Sequence, residues 1–225
     1  MNIQSVLKAA EMIVLLALAA SVTQQVRKPS WLLGRLIART MNKSHAGLTT
    51  WGLSQVTIRE TDSILDVGCG GGKTIDRMAA IATRGHVSGV DYSTASVAVA
   101  QEVNAEAIKA GRVDVQSGSA SRLPFAPDTF DLVTAVETHF YWPDLPNDVR
   151  EVRRVLKPGG SFMILSEAYR RSTKMDWLVG SAMRLIRAKY LTLDEHRRLL
   201  EAAGYSHVEL YEERSKGWMC AVARN

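Results

Sequence analysis

From Ser63 onward, short apolar segments alternate with amphipathic helical patterns, and this alternation leaves a chain of 225 residues few folds to choose from. Strands are expected at Ser63–Val67, His86–Asp91, Val113–Gln116, Phe130–Val136 and Ser161–Glu167. Helices are expected near Lys73–Ala82, Thr94–Ala110 and Asn147–Leu156. Short apolar strands separated by helices are the pattern of a parallel sheet covered on both faces, an α/β architecture. The helix near Asn147 sets Val149, Val152, Val155 and Leu156 on one face, and Pro158-Gly159-Gly160 turns the chain into the next strand. Thr192-Leu193-Asp194-Glu195 reads as a capping box, with Gly204 closing its helix. Two last strands, about Ser206–Tyr211 and Gly217–Ala223, are joined by a short turn and expected to pair antiparallel. The length allows one domain with a substantial core and little beyond it.

Composition removes several function classes. Hydrophobic residues make up 46% and charged residues 23%, which excludes a disordered chain. The formal charge of +5 is mild, and its arginine pairs (Arg153–Arg154, Arg170–Arg171, Arg197–Arg198) fall in separate segments. Solvated helix faces explain them better than a nucleic-acid patch. Cys69 and Cys220 are isolated, with neither a disulfide framework nor metal-ligand spacing, so no metal is expected and a reduced, cytoplasmic setting fits. At the amino end, Met12–Ala20 is too short to span a bilayer. Its helical spacing reads first as an amphipathic helix that packs or rests on a membrane through residues 1–22, and second as the apolar part of a secretory signal. Residues 1–41 are taken as a helical extension and 42–225 as the domain.

The segment Ile64-Leu65-Asp66-Val67-Gly68-Cys69-Gly70-Gly71-Gly72 runs from a strand into a helix. Glycines there let the backbone turn tightly and come close to a ligand. A phosphate-cradling loop ending in Gly72-Lys73-Thr74 would need glycine at 67, where valine stands. A dinucleotide fingerprint would need glycine at 73, where lysine stands. Asp66 would repel a pyrophosphate but attract an α-ammonium or a sulfonium. Asp91, at the end of the second strand, is placed to accept both hydroxyls of a ribose, although an acid there can also cap the helix that begins at Ser93 or Thr94.

The motifs ILDVGCGGGKT (64–74), GVDYS (89–93), GSASRLPFAPDTFDLV (118–133) and EVRRVLKPGGSFMI (151–164) stand in one order. In them the chain resembles the class I S-adenosylmethionine-dependent methyltransferases, specifically the small-molecule group called type 11, over roughly residues 42–225. The resemblance implies a Rossmann-like, mostly parallel seven-stranded sheet of order 3-2-1-4-5-7-6. It implies S-adenosylmethionine as cofactor, held by Asp66, Gly68, Cys69, Gly70, Asp91 and Tyr92, the last packing on the adenine. Val136 at the end of the fourth strand, Ser119 and Ala120 complete the expected cofactor set. Ser119 departs from the family, which usually places there an acid that bonds the adenine amino group; a serine oxygen and two amides remain available.

Methyl transfer from a sulfonium is an in-line displacement that needs a base only when the nucleophile must lose a proton. Glu137 and His139 are the candidate bases, at the carboxyl end of the fourth strand where ligands gather in such sheets. Glu167 and Tyr169 stand behind them, and Phe140, Tyr141 and Trp142 are read as an aromatic wall or as core. His45, with Leu48 and Trp51, is expected to fold a lid over the cofactor. Met175–Ile186 carries an apolar stripe that packs or lines the acceptor. The expected partner is a small-molecule methyl acceptor with an apolar or aromatic part. Nucleic acid is not expected, because Glu137-Thr138-His139-Phe140 replaces the Asn-Pro-Pro-Tyr type of motif found in RNA-methylating relatives. The alternative is a non-catalytic S-adenosylmethionine-binding protein of the same fold; a nicotinamide dehydrogenase is disfavoured by Asp66 and Lys73. The sequence leaves the oligomeric state open.

Overall fold

Seven strands form one sheet, in which the third, second, first, fourth, fifth, seventh and sixth strands of the chain lie side by side in that order. The computed structural model describes residues 45–171, 176–185 and 187–225. The helical extension expected over residues 1–41, its membrane-resting segment and its boundary with the domain lie outside the described residues. In chain order the elements are α1 (Ala46–Leu53), β1 (Ser63–Val67), α2 (Lys73–Ile81), β2 (His86–Asp91), α3 (Thr94–Val103), α4 (Ala105–Lys109), β3 (Val113–Ser117) and β4 (Phe130–Val136). A 3-10 turn (His139–Tyr141), α5 (Leu145–Val155), β5 (Leu156–Ser166), α6 (Asp176–Leu185), α7 (Leu193–Ala202), β6 (Ser206–Glu213) and β7 (Trp218–Arg224) follow. β1 to β5 pair in parallel, and β7 runs antiparallel to both β5 and β6.

The sheet is apolar on both faces because each is covered by helices. On one face Val149, Val152 and Val155 of α5 and Leu200 of α7 pack with Val133, Phe162 and Ala221. On the other, Leu48 of α1, Ile75 and Met78 of α2 and Ala100 of α3 pack with Ile64, Val87 and Leu165.

Several boundaries differ from the sequence reading, each for a visible reason. The stretch expected as loop and a helical turn holds the two-turn helix α1, fixed by the burial of Leu48. The single helix expected over Thr94–Ala110 breaks at Asn104, whose side-chain amide donates to the Ala100 carbonyl at 2.8 Å and to the Gly72 carbonyl at 3.0 Å. That side chain competes with the helical backbone and anchors the end of the glycine loop. β5 begins at Leu156, which pairs with Phe130; Pro158-Gly159-Gly160 is absorbed where the β4–β5 register shifts rather than forming a turn ahead of the strand. The capping box at Thr192 and Glu195 is present in full.

β1 lies between β2 and β4, so the crossovers on its two sides leave in opposite directions. A crevice opens at such a switch point, outside the carboxyl ends of the strands.

Candidate active site

The crevice is a cleft of about 180 Å³. Its floor is the glycine loop after β1. Gly68 and Cys69 both donate backbone N–H bonds to the Val90 carbonyl, at 2.7 and 3.0 Å, drawing the loop across the end of β2. Gly68 has φ +78°, and a Cβ on it would lie 2.0 Å from Thr138 Oγ1. Glycine is therefore required there on two counts. Gly70, at φ +52°, faces open space instead, so its surroundings leave room for a ligand against the backbone.

Asp91 ties two motifs together. One carboxylate oxygen accepts from Gly70 N at 2.9 Å and the other from Ser93 N at 2.8 Å. Burial raises its pKa while these two amides oppose the rise. A carboxylate with two amides bound keeps lone pairs for ribose hydroxyls. The helix cap is not Asp91 but Ser93, whose hydroxyl accepts from Ser96 N.

Asp66 is 1% exposed and lines the cleft. Thr134 Oγ1 donates to it at 2.7 Å. Burial pushes its carboxyl up to about 7, Thr134 opposes the rise, and the nearby charge of Asp91 adds to it. It has no cationic partner in any ion pair among the described residues. A buried acid facing a cleft without a counter-charge is suited to a cationic ligand.

Val136, Tyr92, Ser119 and Ala120 also line the cleft, as expected. Ser119 Oγ accepts from Ser121 N at 3.2 Å and the Ser119 carbonyl accepts from Arg122 N at 3.1 Å, which holds this turn in place.

The far end of the cleft brings together Glu137, Tyr141, Trp142 and His45, all of which line it. Glu137 has φ +54° and accepts a short hydrogen bond from Glu167 N. Burial lifts its carboxyl to about 7, and the Glu167 carboxylate adds to the rise. His45 Nε2 lies 3.6 Å from Glu167 Oε1; burial lowers the imidazole's pKa and Glu167 partly restores it. One polar atom each from His45, Glu137 and Glu167 lies within 4.8 Å of the others.

Other expected positions fall elsewhere. His139 is not a cleft residue: it is 1% exposed, and its Nε2 lies 2.9 Å from Nε2 of His196 on α7. His196 Nδ1 lies 2.8 Å from the Thr192 carbonyl, so Nδ1 carries its proton. His139 must then donate through Nε2, and its Nδ1 is left without a partner. Burial holds both imidazoles below the ordinary value, and for His139 the adjacent His196 lowers it further. Trp51 is likewise no lid over the cofactor; it packs on Trp218 with ring centroids 6.0 Å apart. Leu48 and Phe140 are core, and Tyr169 is buried with its hydroxyl donating to Glu212 at 2.7 Å. Trp142 serves both readings, stacking on Phe162 at 6.3 Å while lining the cleft.

Sequence reasoning missed Lys73, Thr74 and Arg77, which line the cleft from the first turns of α2. Their spacing places them on one helix face and was the available signal. Arg77 also ties α1 to α2, donating to the Ala46 carbonyl at 2.6 Å and to Thr50 Oγ1 at 3.1 Å. Thr134 was missed too, since nothing in a strand sequence shows that a threonine faces an acid on its neighbour.

A doubly covered sheet of this order, with an acid at the end of β1, another at the end of β2 and a glycine loop between them, is the arrangement of a Rossmann-like α/β domain. Residues 65–164, under half of the chain, match the family model described as a methyltransferase domain. The chain is 35% identical over 152 residues to "Methyltransferase GfsG" of Streptomyces halstedii, covering 65% of this chain and 54% of that protein. It is 38% identical over 114 residues to a demethylmenaquinone methyltransferase of Symbiobacterium thermophilum, covering 50% and 45%. The chain thus spans about half the length of these curated relatives. A SAM-dependent methyltransferase from Aquifex aeolicus shares the fold, with TM-score 0.66 at 19% identity over 84% of this chain and 96% of that one.

Proposed function

We propose that the chain transfers a methyl group from S-adenosylmethionine to a small molecule with an apolar or aromatic part. The observation that carries this reading is Asp66, a buried acid on the cleft wall without a counter-charge, one strand away from the amide-clasped Asp91. The cofactor supplies the sulfonium methyl and a leaving sulfide. In this reading Asp66 attracts its ammonium and sulfonium charges, Asp91 accepts from the ribose hydroxyls, and the backbone at Gly68, Cys69 and Gly70 lies along the methionine end. Tyr92 covers the adenine, with Ser119 and Ala120 at its edge.

Catalysis then rests on orientation, since an in-line displacement gains most from holding nucleophile and methyl at reacting distance. Tyr141 and Trp142 give the acceptor an apolar wall, and His45 closes the rim. Glu137, held by the Glu167 amide, takes the acceptor's proton; a carboxylate lifted to about 7 is matched to that task near neutrality. Curated relatives named for quinone and other small-molecule substrates support a small acceptor.

The test is calorimetric titration with S-adenosylmethionine and its demethylated product, repeated on Asp91→Ala. Micromolar binding that the variant loses is the expected outcome; no heat with either ligand would sink the proposal. Ser119, at the position of a usual acid, favours a second reading in which the protein binds the cofactor without turning it over. That reading fails once any acceptor yields S-adenosylhomocysteine.

A further inference from the structure

α6 has its polarity reversed relative to a surface helix. Asp176, Gly180 and Met183, at i, i+4 and i+7, share one side. Asp176 accepts from the Tyr190 hydroxyl at 2.9 Å, a Cβ on Gly180 would lie 3.5 Å from the Tyr190 ring, and Met183 is buried. This side packs on the protein. On another face Trp177 is 73% exposed and Leu185, eight residues on, is 79% exposed, while Val179 (37%) lies on the far side of the helix from Trp177. Three of the six exposed large hydrophobics among the described residues thus sit on this one helix, where a solvated helix would carry charge.

The charges beside them have one sign. Arg184, Arg187 and Lys189 are exposed, and none is in an ion pair among the described residues. Asp176, the one acid between residues 176 and 190, is engaged by Tyr190. A second copy docked through the same face would set these cations against each other. Residues 1–44 carry charge of the same sign, with Lys8, Arg27, Lys28, Arg35, Arg39 and Lys43 against Glu11 alone. An anionic bilayer complements both features: Trp and Leu enter the headgroup boundary while Arg and Lys meet lipid phosphates. No described helix is long and apolar enough to cross a membrane, so the contact is one of lying on the surface.

The helix is also joined to the cleft rim. Lys189 N donates to the Phe140 carbonyl at 2.8 Å, next to Tyr141, which lines the cleft. We infer that α6, with Arg187 and Lys189 beyond it, rests on an anionic membrane, bringing the cleft rim to the bilayer. On the methyltransferase reading, the acceptor is then a molecule dissolved in lipid.

The experiment is hydrogen–deuterium exchange on the full chain with vesicles of phosphatidylcholine alone or mixed with phosphatidylglycerol, on the wild type and on Trp177→Ser/Leu185→Ser. Both positions are exposed, so the variant is expected to fold and to bind S-adenosylmethionine as the wild type does. The expected result is slowed exchange across 177–185 with the anionic vesicles only, and roughly tenfold weaker partitioning of the variant. Vesicle binding that leaves 177–185 unprotected would assign the contact elsewhere and overturn the inference. So would no binding, or protection that grows with protein concentration in the absence of lipid. Cofactor calorimetry is read separately, so failure here leaves the methyltransferase proposal standing.

Discussion

Asp66, fully buried, and Glu137, half-buried, are acids both lifted to about 7, and their tasks would separate them. A cation beside Asp66 favours its ionised form, so binding of S-adenosylmethionine near neutrality should release a proton. Affinity is expected to strengthen as pH rises from 6 to 8, and Asp66→Asn should flatten that dependence; calorimetry in buffers of different ionisation enthalpy measures both. On the proposed function, Glu137 acts on the other substrate. Glu137→Gln should leave cofactor affinity unchanged while lowering kcat by about 10²–10³ and removing the rise in rate as pH climbs through 7. A rate loss accompanied by an equal loss of cofactor affinity would show that the side chain only shapes the cleft. Asp66, Asp91 and Glu137 were legible in the sequence because strand ends are legible, and in this topology the strand ends make the site. His139, only two residues beyond Glu137, was not, because the direction a short 3-10 turn sends each side chain depends on what packs beneath it.

At the scale of elements, the 3-10 turn after β4 is fastened from below. His139 donates to His196, and His196 is anchored to the capped first turn of α7 through Thr192. His196→Leu would leave a buried imidazole N–H unpaired, at a cost of about 1–3 kcal/mol. The expected outcome is a lower Tm with cofactor binding retained, since neither histidine lines the cofactor half of the cleft. Thr192→Ala removes the cap and should cost about 1 kcal/mol. The capping box was readable from four consecutive letters. The break at Asn104 was not, because it depends on a carbonyl at Gly72 that only tertiary contact brings near. The start of β5 at Leu156 was hidden for the same reason, as its partner Phe130 lies on another strand.

For the whole molecule, burial of these groups couples folding to pH from two sides. Asp66 and Glu137 titrate higher in the fold than their ordinary 3.8 and 4.5, so their contribution is full at pH below those values and is lost as pH rises through about 7. His139 and His196 titrate below 6.5 in the fold, so theirs is present above that value and is lost as pH falls. Without cofactor, the acids' contribution to Tm should therefore decline as pH rises from about 4 to about 7 and level off above it, and Asp66→Asn should lessen that decline. Differential scanning calorimetry across this range gives the answer.

The antiparallel β7 has a consequence for how such a chain is made. β5 lies inside the sheet, yet one of its two neighbours is the strand from Trp218 to Arg224. As the polypeptide leaves the ribosome, β1 to β5 can assemble in order, but β5 presents an open, apolar edge until β7 is synthesised and slots in beside it. β6 emerges earlier and must wait, since β7 is its only neighbour in the sheet. Nascent chains halted before Trp218 should therefore stick to one another, or to chaperones, through β5.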